Sequence, residues 1–179
     1  MKSIQEGLQQ IVRTIPDFPK PGIAFKDITP VLSDAYLCGE IVFDMDLQLQ
    51  GKGIQIDAVA GIESRGFFFG FLLANKLGVP FIPIRKPGKL PFTTVSMEYD
   101  LEYGSAKIEM NSDAVSPGMN VLIHDDLLAT GGTAEAAAKL IKSVGGNVSA
   151  FWFLITLNEL KGKEKLLQYS ENFFSSMEC

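Results

Sequence analysis

Cysteine is nearly absent: Cys38 and Cys179 are the only two in 179 residues. That is too few for the disulfide framework of a small secreted domain and suits free thiols in a reducing compartment. No apolar run is long enough to cross a bilayer; the most hydrophobic, GFFFGFLLA, falls far short of a span. The amino-terminal MKSIQEGLQQIVRTIPDFP lacks an apolar core of signal-peptide length, so a cytoplasmic protein with no membrane partner is expected. Positive charge is not in excess either. Sixteen Lys and Arg against 21 Asp and Glu give a net charge of −5, and the pI near 4.9 argues against a general nucleic-acid or acidic-membrane binder. The lone histidine, His124, has no accompanying nucleophile or metal ligands, so it reads as a polar residue packed at a strand end. There is no internal repeat and no low-complexity segment.

What the chain does contain is 46% hydrophobic and 21% charged residues, the balance of a folded globular protein. Its length suits one domain over 1–179. Charge is unevenly spread: between Ala60 and Val95, Arg65, Lys76, Arg85, Lys86 and Lys89 face Glu63 alone. A basic stretch inside an acidic chain points to an anionic ligand held locally.

Ile4, Leu8, Ile11 and Val12 are spaced as a helix stripe, with Ser3 and Glu6 as a capping box. PDFPKPGIAFKDITPVL is proline-rich, hence extended and turn-like. A second helix is expected over 33–50. IQIDAVAGI reads as a buried strand, followed by the loop GIESRG, a helix over 67–77 and the short strand GVPFIPIRK. VSMEYDLEYGSAKIEM alternates as a hairpin pair, and VSAFWFLITL is another apolar strand. Strands alternating with helices imply an α/β fold, a mostly parallel central sheet flanked by helices. Ligands bind such sheets beyond the carboxyl ends of their strands, where GIESRG, RKPGK and DDLLATGGT would converge.

VLIHDDLLATGGTAEAAAKLIKSVGG concentrates the chemistry. Val121, Leu122 and Ile123 suit a strand buried on both faces, and Asp125 and Asp126 sit where that strand surfaces. Ala129, Thr130, Gly131, Gly132 and Thr133 carry little bulk, so their N–H groups can approach a ligand closely. Ala134, Ala137, Ala138 and Ile141 form the apolar face of a helix that Gly145 and Gly146 end. Oriented amides at that helix start favour a dianionic phosphate. No lysine follows the glycines, so this is neither a triphosphate P-loop nor GxGxxG. An acidic pair in such a place has three readings: a solvated turn, a divalent-cation site, or a clamp on two ribose hydroxyls. The neighbouring phosphate loop favours the ribose.

PDFPKPGIAFKDITPVL, AGIESRGFFFG, IRKPGKLP, YDLEYG and DDLLATGGT, in this order and spacing, resemble the adenine-specific branch of the type I phosphoribosyltransferases from about residue 10 to 170. The resemblance implies that family's fold, with a small flexible β hood at about 85–110. It also implies purine salvage: ribose 5-phosphate passes from phosphoribosyl pyrophosphate to adenine, giving AMP and pyrophosphate. By its motifs, Asp125 and Asp126 would hold the ribose hydroxyls and Ala129 to Thr133 the 5′-phosphate. Arg65, Arg85, Lys86 and Lys89 would meet the pyrophosphate. Ala24 and Lys26 would read the adenine edge through backbone groups while Phe25 stacks on the base and Leu127 closes its other face. Glu102 would exchange the adenine proton, with Tyr103 closing the site and Arg65 counted among the catalytic residues. Magnesium would travel with the substrate, so no protein metal cage is expected, and the family implies a homodimer. His124 stands where the family is usually aliphatic. An enzyme for another base would need a different reader in place of GIAFKD. A nucleic-acid-binding regulator on this fold would need a basic face.

Overall fold

The computed structural model describes residues 3–101 and 104–179. Five strands form the central sheet in the order β4-β3-β7-β8-β9: β3 (Ala58–Ile62), β4 (Phe81–Ile84), β7 (Asn120–Leu128), β8 (Asn147–Thr156) and β9 (Phe173–Glu178). Every neighbouring pair is parallel, so all carboxyl ends share one edge. Side chains alternate between the two faces of each strand and feed two cores. One gathers Val121 and Ile123 with α5 (Gly132–Ser143). The other gathers Leu122 and Trp152 with α1 (Ile4–Ile11), α3 (Ala35–Gly51) and α4 (Gly66–Leu77). The expected parallel sheet with helices on both faces is what forms.

Local signals work where they are strongest. Ser3 and Glu6 make the reciprocal capping box of α1. Ala134, Ala137, Ala138 and Ile141 are all buried under α5. The helix expected over 33–50 starts with Asp34 as its cap, which accepts from the Leu37 amide at 2.9 Å; a separate turn, α2 (Thr29–Leu32), precedes it. The hairpin is present as β5 (Thr94–Leu101) and β6 (Gly104–Asn111). The proline-rich segment, expected to be merely extended, contributes β2 (Phe25–Asp27), which pairs antiparallel with β1 (Arg13–Ile15). In the tail, a short helix α6 (Gly162–Leu166) leads to β9, which the sequence pattern does not announce.

β7 corrects two expectations. The strand does not surface at the acids but runs on to Leu128, carrying Asp125 and Asp126 inside it. His124 is therefore in mid-strand and fully buried rather than at an end. Its ring lies 4.3 Å from that of Trp152, centroid to centroid, and Nδ1 is 2.9 Å from the Trp152 carbonyl oxygen. Burial holds the imidazole down to about 3, with the Trp152 carbonyl pulling weakly the other way. The unfolded chain takes up a proton near 6.5, whereas the folded chain refuses it until about 3. Stability from this group is thus present above the higher value and lost as pH falls through that window. Equilibrium unfolding at about pH 7.5 and pH 5.5 should show the native chain losing ~1.4 kcal/mol more than a His124→Leu variant. Parallel losses in both would show that His124 is not the buried neutral base.

Candidate active site

Three loops leave the carboxyl edge of the sheet, and each delivers a different kind of group. After β7, Gly131 takes a left-handed φ of 81° to start α5. A side chain there would be strained and its Cβ would meet the Gly162 carbonyl oxygen at 2.8 Å. A Cβ on Gly162 would in turn collide with the Ala129 carbonyl. Two backbones pressed together thus set the loop's shape, and Gly162 comes from the tail that sequence patterns left unread. The loop encloses a cavity of about 100 Å³ lined by Asp125, Leu127, Ala129, Thr130, Gly131, Gly132 and Thr133. The Thr133 hydroxyl donates to the Tyr99 hydroxyl at 3.2 Å, joining the loop to β5.

The acids beside this cavity are no solvated turn. Asp126 is only 4% exposed, and Asp125 is half-buried. The Asp125 Oδ1 accepts from the Asp126 amide at 2.9 Å. Burial pushes both carboxyls above the usual aspartate range, Asp125 the more because the charge of Asp126 lies against it. The Arg65 guanidinium opposes the rise at Asp126, its Nε lying 2.9 Å from Oδ2. That contact is an ion pair without hydrogen-bond alignment, and among the described residues Oδ2 accepts no hydrogen bond. The pair is therefore short of hydrogen-bond donors, an exception that a buried polar group rarely makes.

Arg65 reaches the other way as well. Its Nη1 donates to the Lys26 carbonyl at 3.1 Å, and its Cζ lies 4.5 Å from the Phe25 ring centroid. One guanidinium therefore bridges Asp126 to the segment containing Ala24, Phe25 and Lys26. Phe25 is half-buried, with the Phe18 ring edge-on at 5.0 Å between centroids. The exposed Ala24 precedes it, and the Lys26 ammonium donates to the Thr14 hydroxyl at 3.0 Å. Leu127 sits on the wall of the phosphate-loop cavity. Phe25 and Arg65 gather around the acids; Arg85, Lys86 and Lys89 form a second cluster.

A single carboxylate organises that cluster. Glu63, whose side chain is 9% exposed, accepts from Arg85 Nε at 3.3 Å, from the Lys86 amide at 3.0 Å and from the Lys89 ammonium. Burial alone would raise its carboxyl, but these donors bring it down to about 2. The available signal was that Glu63 is the single acid within the basic stretch. Glu102 and Tyr103 lie outside the described residues. Glu98, four residues before Glu102, accepts from the Ser105 hydroxyl at 2.8 Å across the hairpin.

A phosphate-sized cavity at a helix start, a buried acid pair beside it and cations on the flanking loops define a class. Residues 36–169 match the phosphoribosyl transferase domain model, and the chain belongs to that family. Within it, the chain falls among the adenine phosphoribosyltransferases. It is 55% identical to that of Cytophaga hutchinsonii over 93% of this chain and 91% of the relative. The solved adenine phosphoribosyltransferase of Thermoanaerobacter pseudethanolicus superposes with a TM-score of 0.92 at 48% identity, covering 98% and 99% of the two chains. That of Saccharomyces cerevisiae, complexed with D-2,5-dideoxy-2,5-imino-altritol 1,6-bisphosphate and adenine, gives 0.90 at 37% identity over 97% and 98%.

The unsatisfied acid pair generates a direct test. Asp126→Asn keeps the shape but removes the charge that hydroxyl groups would meet. A lost charge-assisted bond costs about 1.5–3 kcal/mol, so phosphoribosyl pyrophosphate should bind roughly ten- to hundredfold more weakly in a titration. Unchanged affinity in a folded variant would mean that the acids serve only the Arg65 contact.

Proposed function

We propose that these loops form one active site in which each candidate residue keeps a separate part of the substrates. The observation that carries this reading is the Arg65 bridge. It places Phe25 and Lys26 beside Asp126, and Asp126 is two residues beyond His124 on the strand that runs into the phosphate loop. Base segment, acid pair and phosphate loop thus follow one another in the order of base, ribose and 5′-phosphate in AMP. The chain is a purine-salvage enzyme that transfers ribose 5-phosphate from phosphoribosyl pyrophosphate to adenine. The yeast relative, which holds adenine and a bisphosphate, has the same fold.

In this reading, amides of Ala129 to Thr133 and the hydroxyls of Thr130 and Thr133 receive the 5′-phosphate, helped by the start of α5. Asp125 and Asp126 accept from the two ribose hydroxyls, which supply the missing donors. Phe25 and Leu127 enclose the base. Backbone groups of Ala24 and Lys26 read its edge, a donor at the 6-amino group beside an acceptor at N1; the Lys26 carbonyl has a second lone pair beyond the one given to Arg65. A 6-oxopurine reverses that pattern and leaves buried groups unpaired. The bond from the anomeric carbon to pyrophosphate oxygen breaks as the bond to adenine N9 forms, and the N9 proton passes to Glu102. Charge leaving with pyrophosphate meets Arg85, Lys86, Lys89 and Arg65.

Magnesium is assigned to this reaction as an ion carried by phosphoribosyl pyrophosphate, where it neutralises part of the leaving group's charge. Asp125 and Asp126 are the carboxylates fit to touch its water shell, given the under-used Oδ2 of Asp126. The hairpin of β5 and β6 is assigned as the hood, with Tyr103 closing it, because an oxocarbenium-like centre must be kept from water. A homodimer fits the exposed apolar residues Phe68, Phe71 and Leu72 on α4, which a partner surface could cover. Among the described residues no helix is long and apolar enough to cross a membrane; a cytoplasmic location and no nucleic-acid partner complete the proposal.

The test has two arms. Pyrophosphate release with magnesium, phosphoribosyl pyrophosphate and each free base in turn should be fast with adenine and near background with hypoxanthine, guanine and uracil. Comparable rates with a 6-oxopurine would overturn the base assignment. Glu102→Gln should lower turnover by about 10²–10⁴-fold with little change in substrate binding. Glu98→Gln, which loses only a partner for Ser105, should be nearly silent. If the two behave alike, Glu102 is not the proton acceptor.

A further inference from the structure

We propose that Glu63 is a positioning residue whose buried carboxylate holds Arg85 and Lys89 side by side as a ready-made receptor for pyrophosphate. The inference rests on the reading of Arg85, Lys86 and Lys89 as the pyrophosphate cations. It adds the group that makes three separate cations into one site.

The geometry has a division of labour. Glu63 gives Oε1 to the Lys89 ammonium and Oε2 to both Arg85 Nε and the Lys86 amide. Arg85 spends Nη1 on the Lys89 carbonyl at 3.1 Å, so the two cations are also tied to each other through the backbone. From the opposite side, Glu109 fixes the same turn. Its main chain exchanges two 2.8 Å hydrogen bonds with Arg85, and its Oε1 accepts from the Gly88 amide at 3.0 Å. Arg85 keeps Nη2, and Lys89 keeps two of its three ammonium hydrogens, uncommitted by these bonds. Those are the donors that an incoming pyrophosphate can take without the carboxylate letting go.

Holding long cationic side chains in one place matters because each carries substantial rotamer entropy. Like charges on one short turn also repel, and a buried carboxylate between them offsets that repulsion. With the donors above bringing it to about 2, Glu63 stays charged over the whole working range of pH. Two effects therefore oppose each other at this site. The negative charge of Glu63 repels pyrophosphate, while the order it imposes on Arg85 and Lys89 favours binding. The proposal is that order wins, and this gives the experiment a sign.

Dissociation constants for magnesium–phosphoribosyl pyrophosphate and for inorganic pyrophosphate should be measured on the native chain and on Glu63→Gln, Glu63→Asp and Lys89→Met, with the adenine KM and the unfolding midpoint of each. Glu63→Gln should weaken both anionic ligands about tenfold or more and leave the adenine KM within about twofold. Glu63→Asp keeps the charge but is too short to span both cations, so a partial weakening is expected; it also serves if the glutamine variant does not fold. Equal or tighter anion binding by Glu63→Gln, or unchanged binding by Glu63→Asp, would overturn the proposal and make the carboxylate a competitor of pyrophosphate. Unchanged binding by Lys89→Met would remove Lys89 as a pyrophosphate ligand, a failure of the underlying reading and distinguishable from failure of Glu63 alone.

Discussion

Two adjacent carboxylates on β7, Asp126 buried and Asp125 half-buried, set the terms for everything around them. Neither can be left charged and alone in such a place, because desolvation of an ion is costly and each repels the other. The fold answers in two ways. Arg65 brings a guanidinium against Asp126, and the backbone crowds in where side chains would interfere. Gly66 has no room for a Cβ, which would lie 2.9 Å from Asp125 Oδ1. Compensation stops short of full satisfaction: the buried Asp126 Oδ2 accepts no hydrogen bond among the described residues. Arg65 pays for this twice over, since the same guanidinium also covers Phe25 and holds the Lys26 carbonyl. The Phe25–Lys26 segment and the acid pair are thereby coupled through one side chain.

The cations follow a matching logic with the signs exchanged. Arg85, Lys86 and Lys89 share a turn whose repulsion is relieved by Glu63 on one side and whose backbone is held by Glu109 on the other. Within a protein of net charge −5, cations are thus gathered locally on one turn with carboxylates holding them in place. The hairpin belongs to both halves of the site. β6 carries Glu109 to the turn that bears Arg85 and Lys89, and β5 carries Tyr99 to Thr133 at the start of α5. Movement of that hairpin would be felt at both loops.

The main architecture was legible because its signals are local and periodic. Alternating strands and helices gave the parallel sheet, Ser3 with Glu6 gave the first cap, and the Ala134 to Ile141 stripe gave the buried face of α5. The glycine loop before α5 and the acid pair were legible as motifs, and Arg65 stood out as a cation in the loop after β3. What escaped notice depends on contacts distant in sequence. Gly162 matters only because it presses on Gly131, 31 positions earlier; no property of its own segment shows this. Glu63 stood out in sequence as the single acid in a basic stretch, but its contact with Arg85 comes from the parallel pairing of β3 with β4. β9 has serines between its apolar residues and offers too short a pattern. The sequence pattern ends β7 early because two aspartates read as an exit to solvent, whereas Arg65, just before α4, lets the strand continue buried.

The central claim is that one chain of contacts, from phosphate loop through acid pair to Phe25, is laid out to match AMP. A crystal structure of the protein with AMP tests it most directly. The 5′-phosphate should lie within hydrogen-bond distance of amides between Ala129 and Thr133, both ribose hydroxyls should donate to Asp125 and Asp126, and adenine should lie against the ring of Phe25. A nucleotide whose phosphate lies outside that loop, or whose hydroxyls leave Asp125 and Asp126 untouched, would contradict the account.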